Sequence, residues 1–308
     1  MTTEQDSKDL PDIEVGEDHV LAHNVDEEPV EANRRLFEGG LLKFVALLAI
    51  AYSAFHLYSL NIAPLETWSF RIVHIAGALV LGFVLFAGAR FVSSEEGGAR
   101  HRWTTWISAG AMLPALYVLY QTFSFWQMVQ NGAMRIPVEL EVWHFGWPLL
   151  AATGVGIVMS WFHQRERSVF SVPDLVLIVC SLAVAAYFLV VYNTSMRMST
   201  GTSFAPVGIS FAAIAGTALI MELTRRVAGM ALVIIGLVFL AYVFAGPYLP
   251  GFLGYPGLSV QRFFSQVYTD AGILGPTTAV SSTYIILFII FAAFLQSSKV
   301  GDYFVNFA

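Results

Sequence analysis

Few residues in this sequence are of a type that does chemistry, and the histidines come first. His56, His74 and His144 fall near the same ends of three long apolar runs. Two facing imidazoles at one depth can hold a haem iron or another metal ion; alternatively, each ring bonds a carbonyl or water at an interface. His101 and His163, at the other ends of such runs, read as solvated or headgroup-facing residues. Cys180 is the single cysteine, which excludes an intrachain disulfide and a cysteine metal site. Glu222-Leu223-Thr224-Arg225-Arg226 puts an acid beside paired bases, able to pair with each other, to meet phospholipid headgroups, or only to set topology. Thr277, Thr278, Ser281, Ser282 and Thr283 are dense in hydroxyls for a lipid-facing surface. They either bond back to the preceding turn or line a polar cavity or subunit contact. There is no phosphate loop, dinucleotide fingerprint, HExxH or Gly-x-Ser-x-Gly. No catalytic residue and no metal set is expected, and the chain reads as no enzyme.

The elements that must position these residues are membrane helices. Apolar residues make up 56% of the 308 and charged ones 12%, against roughly 25% charged in a soluble domain. The apolar runs do not alternate, so a barrel is excluded and an all-α polytopic fold remains. Eight segments are long enough to cross: Leu41–Leu60, Ile72–Val92, Trp103–Trp126, Trp143–Phe162, Val172–Tyr192, Ser203–Met221, Val227–Gly246 and Thr277–Leu295. Pro148, Pro173 and Pro276 suit helix starts, and Pro114 predicts a kink. With both termini cytoplasmic, Arg34, Arg35, Lys43, Arg90, Arg100, Arg102, Arg165, Arg167, Arg225, Arg226 and Lys299 lie inside. Arg71, Arg135, Arg197 and Arg262 lie outside. All seven tryptophans fall near expected interfaces.

Residues 1–40 read as an acidic, disordered cytoplasmic tail, since residues 1–32 carry eleven acids and one base, Lys8. Val260, Phe263, Phe264, Val267 and Tyr268 form one apolar stripe on a short helix near 259–270. That helix either packs over helix ends or offers a docking face to an extracytoplasmic partner. Gly208, Ala212 and Gly216, and Gly229 with Gly236, predict close helix packing. No charged residue falls mid-span, which argues against a complete proton relay. The lipid bilayer is the expected environment, and nothing points to nucleic acid.

Three stretches carry a resemblance: MELTRRVAG, FAGPYLPGFLGYPG and AGILGPTTAVSSTYIILFIIFAAFLQSSKVGDYFVNFA, with weaker echoes at Phe55-His56-Leu57-Tyr58, Val73-His74 and Pro173-Asp174. Over Glu222–Ala308 the chain resembles the fused membrane permease of tripartite ATP-independent periplasmic (TRAP) transporters, TAXI type. The resemblance implies a multi-pass inner-membrane secondary transporter for organic acids or related anions. A periplasmic solute-binding protein would deliver the substrate and a sodium gradient would drive import. Residues 41–226 would be a six-helix scaffold like an extended small subunit. Residues 227–308 would be the first two helices of a large-subunit-like transport region. Substrate and sodium motifs are then expected beyond Ala308, in the remaining large-subunit-like region or a separate large subunit. This portion would hold no cofactor of its own and would not transport alone. Haem held by His56, His74 or His144 in an electron-transfer anchor is the alternative.

Overall fold

The computed structural model describes residues 33–89, 91, 102–163, 167–192, 198–202, 204–300, 303 and 307. Within them every regular element is helical, apart from one bridge between Arg34 and Phe86. The order is α1 (Gly39–Asn61), α2 (Thr67–Leu85), α3 (Arg102–Gln130), a π-helical turn (Leu140–Gly146) running into α4 (Trp147–Phe162), and α5 (Val172–Val191). Then come α6 (Val207–Ala228), α7 (Met230–Ala245), α8 (Val260–Val267) and α9 (Pro276–Val280), which passes through a second π-helical turn (Ser281–Ile285) into α10 (Ile286–Ser297).

Seven of these helical stretches are long and apolar enough to cross a membrane. The exception among the eight expected spans is α3. It is 29 residues long and packs closely on α5, but its Thr, Ser, Gln and Tyr content leaves it less apolar than the others. The second span ends at Leu85, not at Val92, because the chain turns extended at Phe86 and Ala87 to pair with residues 33–35. Pro148 is not a helix start, since the preceding π-helical turn extends the helix back to Leu140. Pro173 and Pro276 do sit in first turns, and α3 runs through Pro114 without ending.

α5 is the centre, surrounded by α2, α3, α4 and α6. Its apolar stretch is 61% buried, whereas that of the Pro276–Ser297 stretch is 6% buried. Phe83, Phe125, Phe145, Leu149, Tyr187 and Phe188 fill the core, and the Phe145 and Tyr187 rings stack at 4.3 Å. α1, α7 and α9–α10 lie at the periphery with apolar sides uncovered, which suits lipid as solvent. Six tryptophans are correspondingly exposed; Trp68, in the first turn of α2, is buried edge-on against Tyr192.

The tail boundary at residue 40 moves. Residues 1–32 lie outside the described residues, but residues 33–37 are docked on the bundle, with Arg35 and Phe37 buried. Arg35 N donates to Leu85 O and Ala87 N to Asn33 O, and Phe37 packs on Val45, Val84 and Phe170.

The expected small-residue packing holds on α6. A Cβ on Gly208 would overlap the Tyr187 hydroxyl, Ala212 is fully buried, and a Cβ on Gly216 would press on the Tyr268 ring. Gly229 is different: at φ +86° it is the break between α6 and α7, a backbone state glycine reaches without steric cost, and it packs against nothing. Gly236 approaches only the Met221 methyl.

Candidate functional site

Polar side chains gather in three places, and two of them sit on the π-helical turns. Such turns are irregularities often found at functional sites.

The first is a histidine pair. His56 on α1 and His74 on α2 meet Nε2 to Nδ1 at 2.9 Å. His56 Nδ1 donates to Tyr52 O at 2.8 Å, because a carbonyl can only accept. Neutral His56 therefore accepts at Nε2, which fixes the proton of His74 on Nδ1 and leaves His74 Nε2 to accept from Ser281 Oγ at 3.2 Å. Tyr52 Oη closes the cluster by donating to His74 O at 3.0 Å. The chain of bonds ties α1 and α2 to the second π-helical turn. It borders a largely apolar cavity of about 450 Å³ that also touches Thr277 and Thr278. The hydroxyl-rich stretch thus divides: Thr278, Ser282 and Thr283 bond back to Ile273 O and Ala279 O, while Ser281 turns outward to His74.

These histidines do not fit a haem. An iron between two imidazoles needs nitrogens roughly 4 Å apart, at about 2 Å each; here they are 2.9 Å apart and hydrogen-bonded. His144 is held elsewhere, bonded to Tyr117 at 2.6 Å. Among the described residues, no group of three or more His, Cys, Asp or Glu could hold a metal.

The second place is an ion network at the end of the bundle where α6 stops. Arg226 donates from Nη1 to Asp174 Oδ1 and from Nε to Glu222 Oε1, both at 2.7 Å. Arg35, reaching in from the docked tail, pairs with Asp174 and donates to Phe83 O at 2.8 Å. Ser171 also donates to Asp174, and Glu222 accepts from Arg225, Ser160 and Trp161. The sequence left Glu222, Arg225 and Arg226 to pair with each other, to meet headgroups or only to set topology. In the structure both arginines pair with Glu222, and Arg226 carries the network on to Asp174, 52 residues away, which in turn binds Arg35, a further 139 residues off. Four charges buried together neutralise one another, and removing any one leaves its partners undercompensated.

The third lies at the opposite end, where residues 131–139, 204–207 and α8 converge. Glu141, in the first π-helical turn, is 2% exposed. Its carboxylate accepts from Tyr187 Oη at 2.7 Å and from Gly208 N at 3.2 Å. It forms part of the wall of a cavity of about 190 Å³ that also touches Arg135, Ile136, Phe204 and Gln261. Sequence reasoning missed Glu141 because the span beginning at Trp143 was already long enough to cross. The signal was there in principle, since Glu141 lies within one turn of that span.

α8 carries the expected stripe, but its direction decides between the two readings. Phe264 and Tyr268 are buried, and Phe263 and Val267 are half-buried, against α6 and Phe244; only Val260 stays exposed. These residues pack over helix ends, because a short amphipathic helix covers the nearest apolar surface. Burial pushes the Tyr268 phenol above its ordinary pKa, so it stays neutral. The outward face carries Gln261, Arg262 and Gln266, with Arg262 Nε donating to Gly201 O at 3.1 Å.

Comparison with known proteins finds no matching family model, curated protein or solved structure.

Proposed function

We propose that the chain is part of the membrane component of a TRAP-type secondary transporter, lying in the inner membrane with eight spans and both termini cytoplasmic. It imports organic acids or related anions brought by a periplasmic solute-binding protein and uses a sodium gradient. The residues resembling that family, Glu222–Ala308, motivate the reading. The observation that carries it is the asymmetry of packing: a well-buried bundle centred on α5 stands beside α7 and α9–α10, whose apolar surface, like that of α1, is mostly uncovered. That suits a fixed scaffold joined to the opening helices of a moving part. Polar contacts cross the seam from His74 to Ser281 and from Arg71 Nη1 to Leu274 O at 2.7 Å, beside the apolar packing of Leu240 and Phe244 on the core. In this orientation the ion network is cytoplasmic and the outward face of α8 meets the binding protein.

The test is uptake by proteoliposomes holding the complete transporter together with its binding protein. Solute accumulation that requires both the binding protein and an inward sodium gradient is expected. Accumulation independent of both, or none with a solute the binding protein holds, contradicts the reading. Charge substitutions at Gln261 and Gln266 are expected to weaken capture of the binding protein without unfolding the chain.

A further inference from the structure

We propose that the cavity between Glu141 and Arg135 binds a compact zwitterion, its ammonium group on Glu141 and its anionic group on Arg135. This goes beyond the transport reading and does not depend on it.

The argument starts from what holds Glu141. It is almost completely buried, yet among the described residues it makes no ion pair; its hydrogen-bond donors are the Tyr187 hydroxyl and the Gly208 and Val207 amides. An ionised carboxylate accepts at about four lone-pair positions, so acceptor capacity is left over. An acid inside a membrane helix is costly, and the partner that offsets the cost is the first thing to look for. Arg135 shares the cavity wall and donates from Nη2 to Phe204 O at 3.2 Å. A guanidinium has five donors in a fork that matches a carboxylate or phosphate.

Size and charge then select the ligand. A dry cavity of about 150 Å³ accommodates benzene, so about 190 Å³ suits a molecule short enough to touch both walls. A simple cation would be repelled by Arg135 and a simple anion by Glu141, whereas a molecule carrying both charges a few bonds apart meets each. Two sources share this chemistry: a free amino acid, and the headgroup of phosphatidylethanolamine. In the second case the acyl chains would lie on the exposed apolar rim of Met134, Val138 and Phe204.

The experiment uses the full chain in phosphatidylcholine nanodiscs, titrated calorimetrically with L-alanine, propionate and ethylamine. In parallel, nanodiscs containing phosphatidylethanolamine are analysed by native mass spectrometry for retained lipid. The expected result is alanine binding at least about tenfold tighter than either half-ligand, or preferential retention of phosphatidylethanolamine over phosphatidylcholine. In either case Glu141→Gln should abolish binding and Arg135→Gln should weaken it by about tenfold. Arg135 is exposed, so its variant keeps the test informative should Glu141→Gln fold poorly. The proposal is overturned by three results: no alanine binding together with no lipid preference, binding unchanged in both variants, or ethylamine binding as well as alanine with Arg135→Gln neutral.

Discussion

The two ends of the bundle hold their buried acids in opposite ways. At the arginine end, Asp174 and Glu222 sit among Arg35, Arg225 and Arg226, every carboxylate oxygen facing a cationic or hydroxyl donor. At the cavity end, Glu141 rests on neutral donors and borders open space. The same chemical group therefore serves two purposes. Where opposite charges from the tail, α5 and α6 converge, the acids fix which segments meet. Where the cation is missing from the buried shell, the acid is left with capacity for something else.

The comparison can be broken, and the largest expected effect is at the arginine end. Asp174→Ala leaves Arg35 buried with no carboxylate and Arg226 with Glu222 alone, and is expected to cost about 3–5 kcal/mol. A fall in midpoint temperature of the detergent-solubilised chain checks it. If Asp174→Ala melts like wild type, the network does not hold the fold. Next comes Gly208→Ala, where the added methyl must displace the Tyr187 hydroxyl; about 1–3 kcal/mol is expected from such overpacking. Glu141→Gln keeps an acceptor for Tyr187 and loses one hydrogen bond, so about 1 kcal/mol is expected in the same thermal assay. A loss as large as that of Asp174→Ala would make Glu141 another structural acid and erase the contrast. Ser281→Ala should be smallest, about 0.5–1 kcal/mol, since it removes only the outermost bond of the histidine chain. Its effect should vanish when His74 is already replaced by Ala, which a double-mutant cycle measures.

Much of this architecture was legible in the sequence because lipid leaves the chain few options. Seven apolar runs became helices, five of them within about three residues of their expected ends, while the second ends seven residues early and the sixth runs seven residues on; the Gly208, Ala212 and Gly216 stripe packs as its spacing implies. What was hidden depends on long-range partners. Nothing near Arg35 announces that it reaches Asp174, because a single arginine in a polar tail has no periodicity to read. His56 and His74 were seen at one depth, but depth leaves open whether two rings bracket an ion or bond each other; 2.9 Å decides that. The stripe on α8 was visible while its direction was not, since an apolar face looks alike whether it covers the chain's own helices or awaits a partner. The π-helical turns had no sequence signature, and both polar sites outside the ion network depend on them.

The contrast between the two ends is tested most directly by thiol accessibility in native membranes. Glu141→Cys and Ser160→Cys place a thiol beside the cavity and beside the ion network, and buried Cys180 serves as the unreactive internal reference. A small, charged, membrane-impermeant reagent is applied to intact spheroplasts and to inverted vesicles. The account predicts rapid labelling of Glu141→Cys from outside, and no labelling of Ser160→Cys from either side. Equal labelling of the two positions, or a thiol at 141 as inert as Cys180, would contradict it.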